Sequence, residues 1–283
     1  VTHTPTQLRA LLADNGLSLS RALGQNFVAD PNTVRKIAGL ANVGPGDHVV
    51  EVGAGLGSLT LALAETGASV LAIEIDKHVT PVLRTVVEPH GVTVVQADAM
   101  DTDWPQLLSG SVDWTLVANL PYNIGTPLVA DLMDFVPQIK RMVVLVQAEV
   151  ADRFAASPRT PAYGALSVKT AYWATARVIM RVSPNVFVPP PKVDSALVEI
   201  VRRDQPAVDA SRELLFALIK AGFGQRRKML RRSLAPLLGD AAEASLIAAE
   251  IAPTARAEEL DVHDWGRLAT WISNQGDTLL TQN

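Results

Sequence analysis

Cysteine is absent from the 283-residue chain, which excludes disulfides, a thiol nucleophile and any Cys-ligated metal. Histidine is scarce: His3, His48, His78, His90 and His263 are scattered without metal-ligand spacing, so no metal is expected. No apolar run reaches the length of a membrane span. The longest, around Leu59–Ala64 and Met142–Val146, have the length of core elements. The start, Val1-Thr-His-Thr-Pro, lacks a basic region followed by an apolar stretch, so no secretory signal is read and a cytoplasmic protein is expected. Positive charge is in deficit: 25 Lys and Arg stand against 29 Asp and Glu, for a net charge of −4. Overall charge therefore argues against a chain that binds nucleic acid over its whole surface. The distribution is uneven, however, with six basic residues and no acidic one from Lys220 to Arg232.

What is present is an alternation of apolar runs with helical stretches. His48–Val52, Ser69–Ile75, Val92–Gln96, Trp114–Ala118 and Arg141–Gln147 read as strands. Helices are expected at Ser58–Thr66, Pro127–Phe135 and Glu149–Ala156, and two more, Thr6–Asn15 and Asn32–Ala41, flank the loop from Gly24 to Asp30. Continuous Val/Ile/Leu strands alternating with helices predict an α/β fold with a parallel sheet covered on both faces. Leu166–Trp173, Ala176–Val182 and Ser195–Arg202 follow without a helical crossover and read as strands finishing the sheet antiparallel. Beyond Pro206 the pattern becomes helical, at Arg212–Phe223, Arg226–Leu238, Ala241–Ile251 and Val262–Asn274. The domains expected are thus residues 1–206 and a small all-α domain at 207–283.

Three strand ends carry a cofactor signature. Glu51-Val-Gly53-Ala-Gly55-Leu-Gly57 sits where a strand gives way to a helix, and its glycines allow positive φ and close approach to a ligand. A dinucleotide loop wants G-x-G-x-x-G; here the third glycine comes one position early, as in methyltransferases, whose cofactor has no pyrophosphate. Glu74 follows 21 residues after Gly53, suited to accept from both ribose hydroxyls, and Asp98 ends the third strand, suited to accept from the adenine amine. The cofactor implied is S-adenosylmethionine.

The fourth strand ends in Asn119-Leu120-Pro121-Tyr122. The exocyclic amine of adenine is a poor nucleophile because its lone pair is delocalised into the ring. Acceptors on both of its N–H bonds favour a pyramidal nitrogen; the Asn119 side-chain oxygen and the Leu120 carbonyl provide the pair, with Pro121 fixing the chain direction. Tyr122 offers a flat face for an extruded base. The segment Lys220, Arg226, Arg227, Lys228, Arg231 and Arg232, read as lying on one or two helices, offers a surface that tracks an RNA backbone.

These residues, with Leu23-Gly-Gln-Asn-Phe27, Tyr163-Gly-Ala-Leu-Ser167, Ser183–Ser195 and Ala221–Lys228, make a chain that resembles the ribosomal RNA adenine dimethylases of the KsgA (RsmA) type and their relatives, the Erm macrolide-resistance methylases. The resemblance implies a Rossmann-like class I methyltransferase sheet that dimethylates two adjacent adenines in the 3′-terminal hairpin of small-subunit RNA on an assembly particle, acting as a monomer. It implies that Asn26 and Val28 close over the cofactor beside Gly53, Gly55, Glu74, Asp98 and Asn119, and that Phe187 meets the target base opposite Tyr122. Three positions depart from the family pattern: Gly125 where Ser is usual, Ala165 where Arg is usual, and Val28 for Leu. An Erm-type large-subunit methylase is the alternative; Leu120 and the acidic pI favour the first reading.

Overall fold

The computed structural model describes residues 2–17, 26–111 and 113–275. It divides into two compact units, one formed by Val1–Ala151 with Arg177–Arg202 and the other by Asp152–Ala176 with Arg203–Asn283.

The strands are β1 (Phe27–Val28), β2 (His48–Val52), β3 (Ser69–Glu74), β4 (Thr93–Gln96), β5 (Trp114–Asn119), β6 (Ile139–Gln147), β7 (Ala174–Val182), β8 (Phe187–Val188) and β9 (Ser195–Arg202). Seven of them form one sheet in the order β4-β3-β2-β5-β6-β9-β7. Strands β2 to β6 pair in parallel and β9 runs antiparallel to β6. Val49, Val50, Leu116, Val117, Val143 and Val144 in the central strands are fully buried, as expected of strands covered on both faces. The short strands β1 and β8 form a separate antiparallel ribbon.

Helices α1 (Pro5–Asp14), α2 (Pro31–Ala41), α3 (Ser58–Ala64), α4 (Thr80–Val87), α5 (Trp104–Leu107), α6 (Gly125–Phe135) and α7 (Ala148–Ala155) accompany the sheet. The entry to α2 is sharply defined: Asp30 is its N-cap, accepting from the Thr33 amide at 2.7 Å, and Pro31 supplies a φ already suited to a first turn. At the other end of α6, Arg202 closes the helix. Its guanidinium donates to the carbonyls of Leu132, Met133 and Val136 in the last turn and cap of the helix, and to that of Ile139 where β6 begins.

The second unit holds α8 (Ala165–Trp173), α9 (Arg212–Gly224), α10 (Leu230–Ser233), α11 (Ala235–Leu238), α12 (Ala241–Ala248) and α13 (Val262–Asn274). Two sequence expectations are corrected here. Leu166–Trp173 is helical, not a strand. Its β-branched and aromatic residues mimic period two, but Val168 and Tyr172 are also one helical turn apart and bury together against Leu215, Leu218 and Trp265. This helical core draws residues 152–176 out of the first expected domain, so the division does not fall at a single point near 206. The second correction concerns Arg226–Leu238, which is not one helix: residues 225–229 form a turn, followed by the short α10 and α11.

Arg202→Met keeps the stem but removes the guanidinium donors at the end of α6; it should cost about 2–4 kcal/mol, read as a lowered urea midpoint with unchanged slope.

Candidate active site

The sheet order reverses at β2, with β3 on one side and β5 on the other, so the connections leaving these strands diverge. A cavity of about 240 Å³ opens at their carboxyl ends. Asn26, Gly53, Glu74, Asp98 and Asn119 through Tyr122 all line it, together with Phe27, Ile75, Met100 and Ile124. Residues from four consecutive strand ends are thus brought to one place.

The glycine loop is shaped by what surrounds it. The Gly53 amide donates to the Ile73 carbonyl at 2.9 Å, holding the loop to β3. Gly55 has φ +57, and a Cβ there would lie 2.4 Å from the Phe27 ring, which no side chain tolerates without displacing that ring. Gly57 has φ +85 and lets Val87 of α4 approach equally closely. Gly55 does not itself line the cavity; its amide donates to Glu74 Oε2 at 2.8 Å, while the Asp76 amide donates to Oε1 at 2.9 Å. Both carboxylate oxygens of Glu74 are therefore oriented by backbone, and each retains a lone pair for a ligand hydroxyl. Burial pushes the Glu74 carboxyl above its ordinary range, and these two amides oppose that shift.

Asp98 lies two residues past the end of β4, half-buried, its Oδ1 accepting from the Met100 amide at 2.8 Å. Ile75 and Met100 are large apolar side chains left 44% and 38% exposed, each following a strand-end acid. Their exposure has no folding rationale and fits a flat apolar ligand between them. The sequence signal for them was an apolar residue just beyond each acid, as it was for Phe27 beside Asn26.

Asn119 is the last residue of β5, and its Nδ2 donates to the Asn26 carbonyl at 2.7 Å. A carbonyl can only accept, so this bond fixes the amide orientation and leaves Oδ1 as the free acceptor. Among the described residues no donor reaches the Leu120 carbonyl either. That of Pro121 is used by the Ile124 and Gly125 amides, which turn the chain into α6. Gly125 is packed there so closely that a side chain would press on Leu120 and Val146, at 3.4 and 3.3 Å.

Val28 and Phe187 stand apart. They pair in register across the β1–β8 ribbon, are 5% and 3% exposed, and pack in the core rather than along the cavity. Phe187 is thus a buried anchor of the Pro-rich loop, whereas Tyr122 lines the cavity. Leu23, Gly24 and Gln25 lie outside the described residues. His3, which the motifs did not single out, bonds through Nε2 to the Leu56 carbonyl of the glycine loop at 3.0 Å. Close by, Leu8 of α1 packs on Leu56 itself.

The six basic residues occupy different settings in the helical unit. Lys220 is on α9, Arg226, Arg227 and Lys228 are in the turn, and Arg231 and Arg232 are on α10, so half of the six expected on one or two helices are not helical. Arg226 is engaged by Glu258 at 2.8 Å and by the Pro161 carbonyl at 3.0 Å, and Arg231 by Glu243 at 3.4 Å. Lys220, Arg227, Lys228 and Arg232 are exposed, with no ionic partner among the described residues.

Behind the glycine loop, Glu51 is 2% exposed with Oε2 unpartnered. Burial, aided by the charge of Glu74, raises its pKa to about 8. A carboxyl whose folded pKa lies above its unfolded value loses stability as pH rises between the two. Glu51→Gln should therefore gain stability over the parent by up to ~1.4 kcal/mol per pH unit between pH 4.5 and about 8, in thermal melts across that range.

Comparison with known proteins agrees with this architecture. The family model of ribosomal RNA adenine dimethylases matches residues 16–274. The chain is 45% identical to the ribosomal RNA small subunit methyltransferase A of Cutibacterium acnes over 96% of its own length and 95% of that protein's. It is 46% identical to the protein of the same name from Leifsonia xyli, over 94% and 96%. Among solved structures, a dimethyladenosine transferase from Plasmodium falciparum superposes with a TM-score of 0.71 at 24% identity, covering 87% of this chain and 97% of that one. The 23S rRNA methyltransferase ErmE superposes at 0.67 with 28% identity, covering 87% and 99%.

Proposed function

The chain belongs to the ribosomal RNA adenine dimethylase family, and we propose that it dimethylates the N6 amines of two adjacent adenines in the 3′-terminal hairpin of small-subunit RNA, on an assembly particle in the cytoplasm and as a monomer. It is an S-adenosylmethionine-dependent methyltransferase of an α/β, Rossmann-like fold. The observation that carries the choice of target atom is the Asn119–Asn26 bond, which leaves Asn119 Oδ1 beside the Leu120 carbonyl as two acceptors for the two N–H bonds of one amine.

The residues of the cavity fit the cofactor. Glu74 would accept from the ribose hydroxyls, Ile75 and Met100 would flank the adenine, and Asp98 would accept from its amine. The Gly53 backbone would lie against the methionyl portion and Asn26 and Phe27 would cover it, with Gly55 orienting Glu74 and Val28 anchoring Phe27 and Asn26 from the core. When bound, the cofactor supplies a methyl carbon already activated by its sulfonium, so neither a metal nor a covalent nucleophile is required. The chain's own work is positioning. Asn119 Oδ1 and the Leu120 carbonyl localise the nitrogen lone pair, Pro121 directs that carbonyl, and Tyr122 stacks on the base.

Asn119→Ala should lower single-turnover methyl transfer by at least about 100-fold with a near-parental melting temperature, the scale of losing one preorganised polar contact to the reacting group. A variant with near-normal turnover would overturn the acceptor mechanism. Label on isolated large-subunit RNA and none on small subunits would instead favour the Erm-type activity.

For RNA the exposed cations Lys220, Arg227, Lys228 and Arg232 provide phosphate contacts, whereas Arg226 and Arg231, already engaged by Glu258 and Glu243, hold the shape of the segment. Arg227→Glu with Lys228→Glu should weaken binding to small subunits by about tenfold or more and reduce the salt dependence by roughly one unit of slope for each phosphate no longer neutralised. Cofactor affinity, measured by calorimetry, should not change. Equal loss of both would mean that the turn is structural.

A further inference from the structure

Tyr122 lines the cavity, yet its hydroxyl is not turned toward solvent. The phenolic oxygen lies 2.6 Å from Ser195 Oγ. Ser195 has no exposed surface and opens β9, paired in register with Gln147 of β6. Tyr122 follows β5, so the hydroxyl pair ties a loop on one strand to the strand two places along the sheet. The backbone around Ser195 is itself held, because the Asp194 carbonyl accepts from the Ala148 amide at 2.9 Å. A fully buried hydroxyl with one side-chain partner at this distance has no reason to be polar except that partner. Burial also pushes the Tyr122 phenol up, so it stays protonated and able to donate. With Phe187 buried and Phe27 lying over Gly55, Tyr122 is the ring left to hold a base.

We propose that Ser195 is a positioning residue: by bonding the Tyr122 hydroxyl it locks the ring in the orientation that keeps a once-methylated adenine stacked until the second methyl is added. This rests on the adenine-dimethylation reading above. Each transfer forms one N–C bond, breaks one S–C bond and releases one amine proton. The spent cofactor must leave before the second transfer, so the residence of the monomethylated base decides whether the second follows. A ring free to swing shortens that residence.

The test uses the full chain with small subunits in excess, digestion of the released RNA and mass spectrometry of N6-methyladenosine against N6,N6-dimethyladenosine. Ser195→Ala is expected to raise the monomethyl fraction about two- to tenfold, the range one such hydrogen bond is worth, with cofactor affinity within about twofold of the parent. Tyr122→Phe should do the same without touching Ser195, which keeps the test open if Ser195→Ala folds poorly. The double variant should go no further than either single one, and Ser195→Thr, which keeps the hydroxyl, should restore the parental ratio. Parental ratios in both single variants, or effects that multiply in the double, would overturn the role of Ser195 alone. A parent that yields no dimethyladenosine would overturn the proposed function, and this inference with it.

Discussion

Strand β2 has β3 on one side and β5 on the other, and the chain leaving it must turn away from both. That divergence opens the crevice lined by Asn26, Gly53, Glu74, Asp98 and Asn119 through Tyr122. The glycine loop fills its floor, held to β3 by the Gly53 amide. Glu74 at the next strand end is gripped by the Gly55 and Asp76 amides, so loop and acid orient one another. The fourth strand adds Asn119, whose side-chain amide donates to the Asn26 carbonyl. Little in this arrangement depends on flexible side chains reaching for position; backbone groups and short side chains carry it.

The same economy explains the placement of charge. Buried carboxylates at Glu51 and Glu74 lie close together beneath the loop, where burial disfavours their charged forms. In the basic run of residues 220–232, two arginines, Arg226 and Arg231, are engaged by Glu258 and Glu243, and four cations are exposed.

The central sheet and the strand-end motifs were legible in the sequence because their signals are local. Gly-rich spacing, an acid after an apolar run and Asn-Leu-Pro-Tyr each state a backbone requirement within a few residues. What was not legible depended on partners far along the chain. Leu166–Trp173 carries both a two-residue and a helical period, and only the core offered by Leu215 and Trp265 decides between them. Phe187 reads equally as an exposed platform or a buried anchor until its pairing with Val28 is known. The basic run gave no hint that Glu258 and Glu243 would engage two of its members, nor that a turn would interrupt it. Ser195 looked like the end of a Pro-rich motif until Tyr122 was found against it.

The way the helical unit is assembled has a topological consequence. Tyr163, Val168 and Tyr172 reach its core from the middle of the chain, between two strands of the sheet. Tyr163 also donates to the Leu260 carbonyl at 2.8 Å, a bond spanning almost a hundred residues. No single scission can therefore release either unit whole: a fragment beginning near residue 207 would leave three aromatic and aliphatic core members behind. During synthesis the same arrangement means that residues 152–176 leave the ribosome without the core they will enter, and wait for the C-terminal helices to complete it.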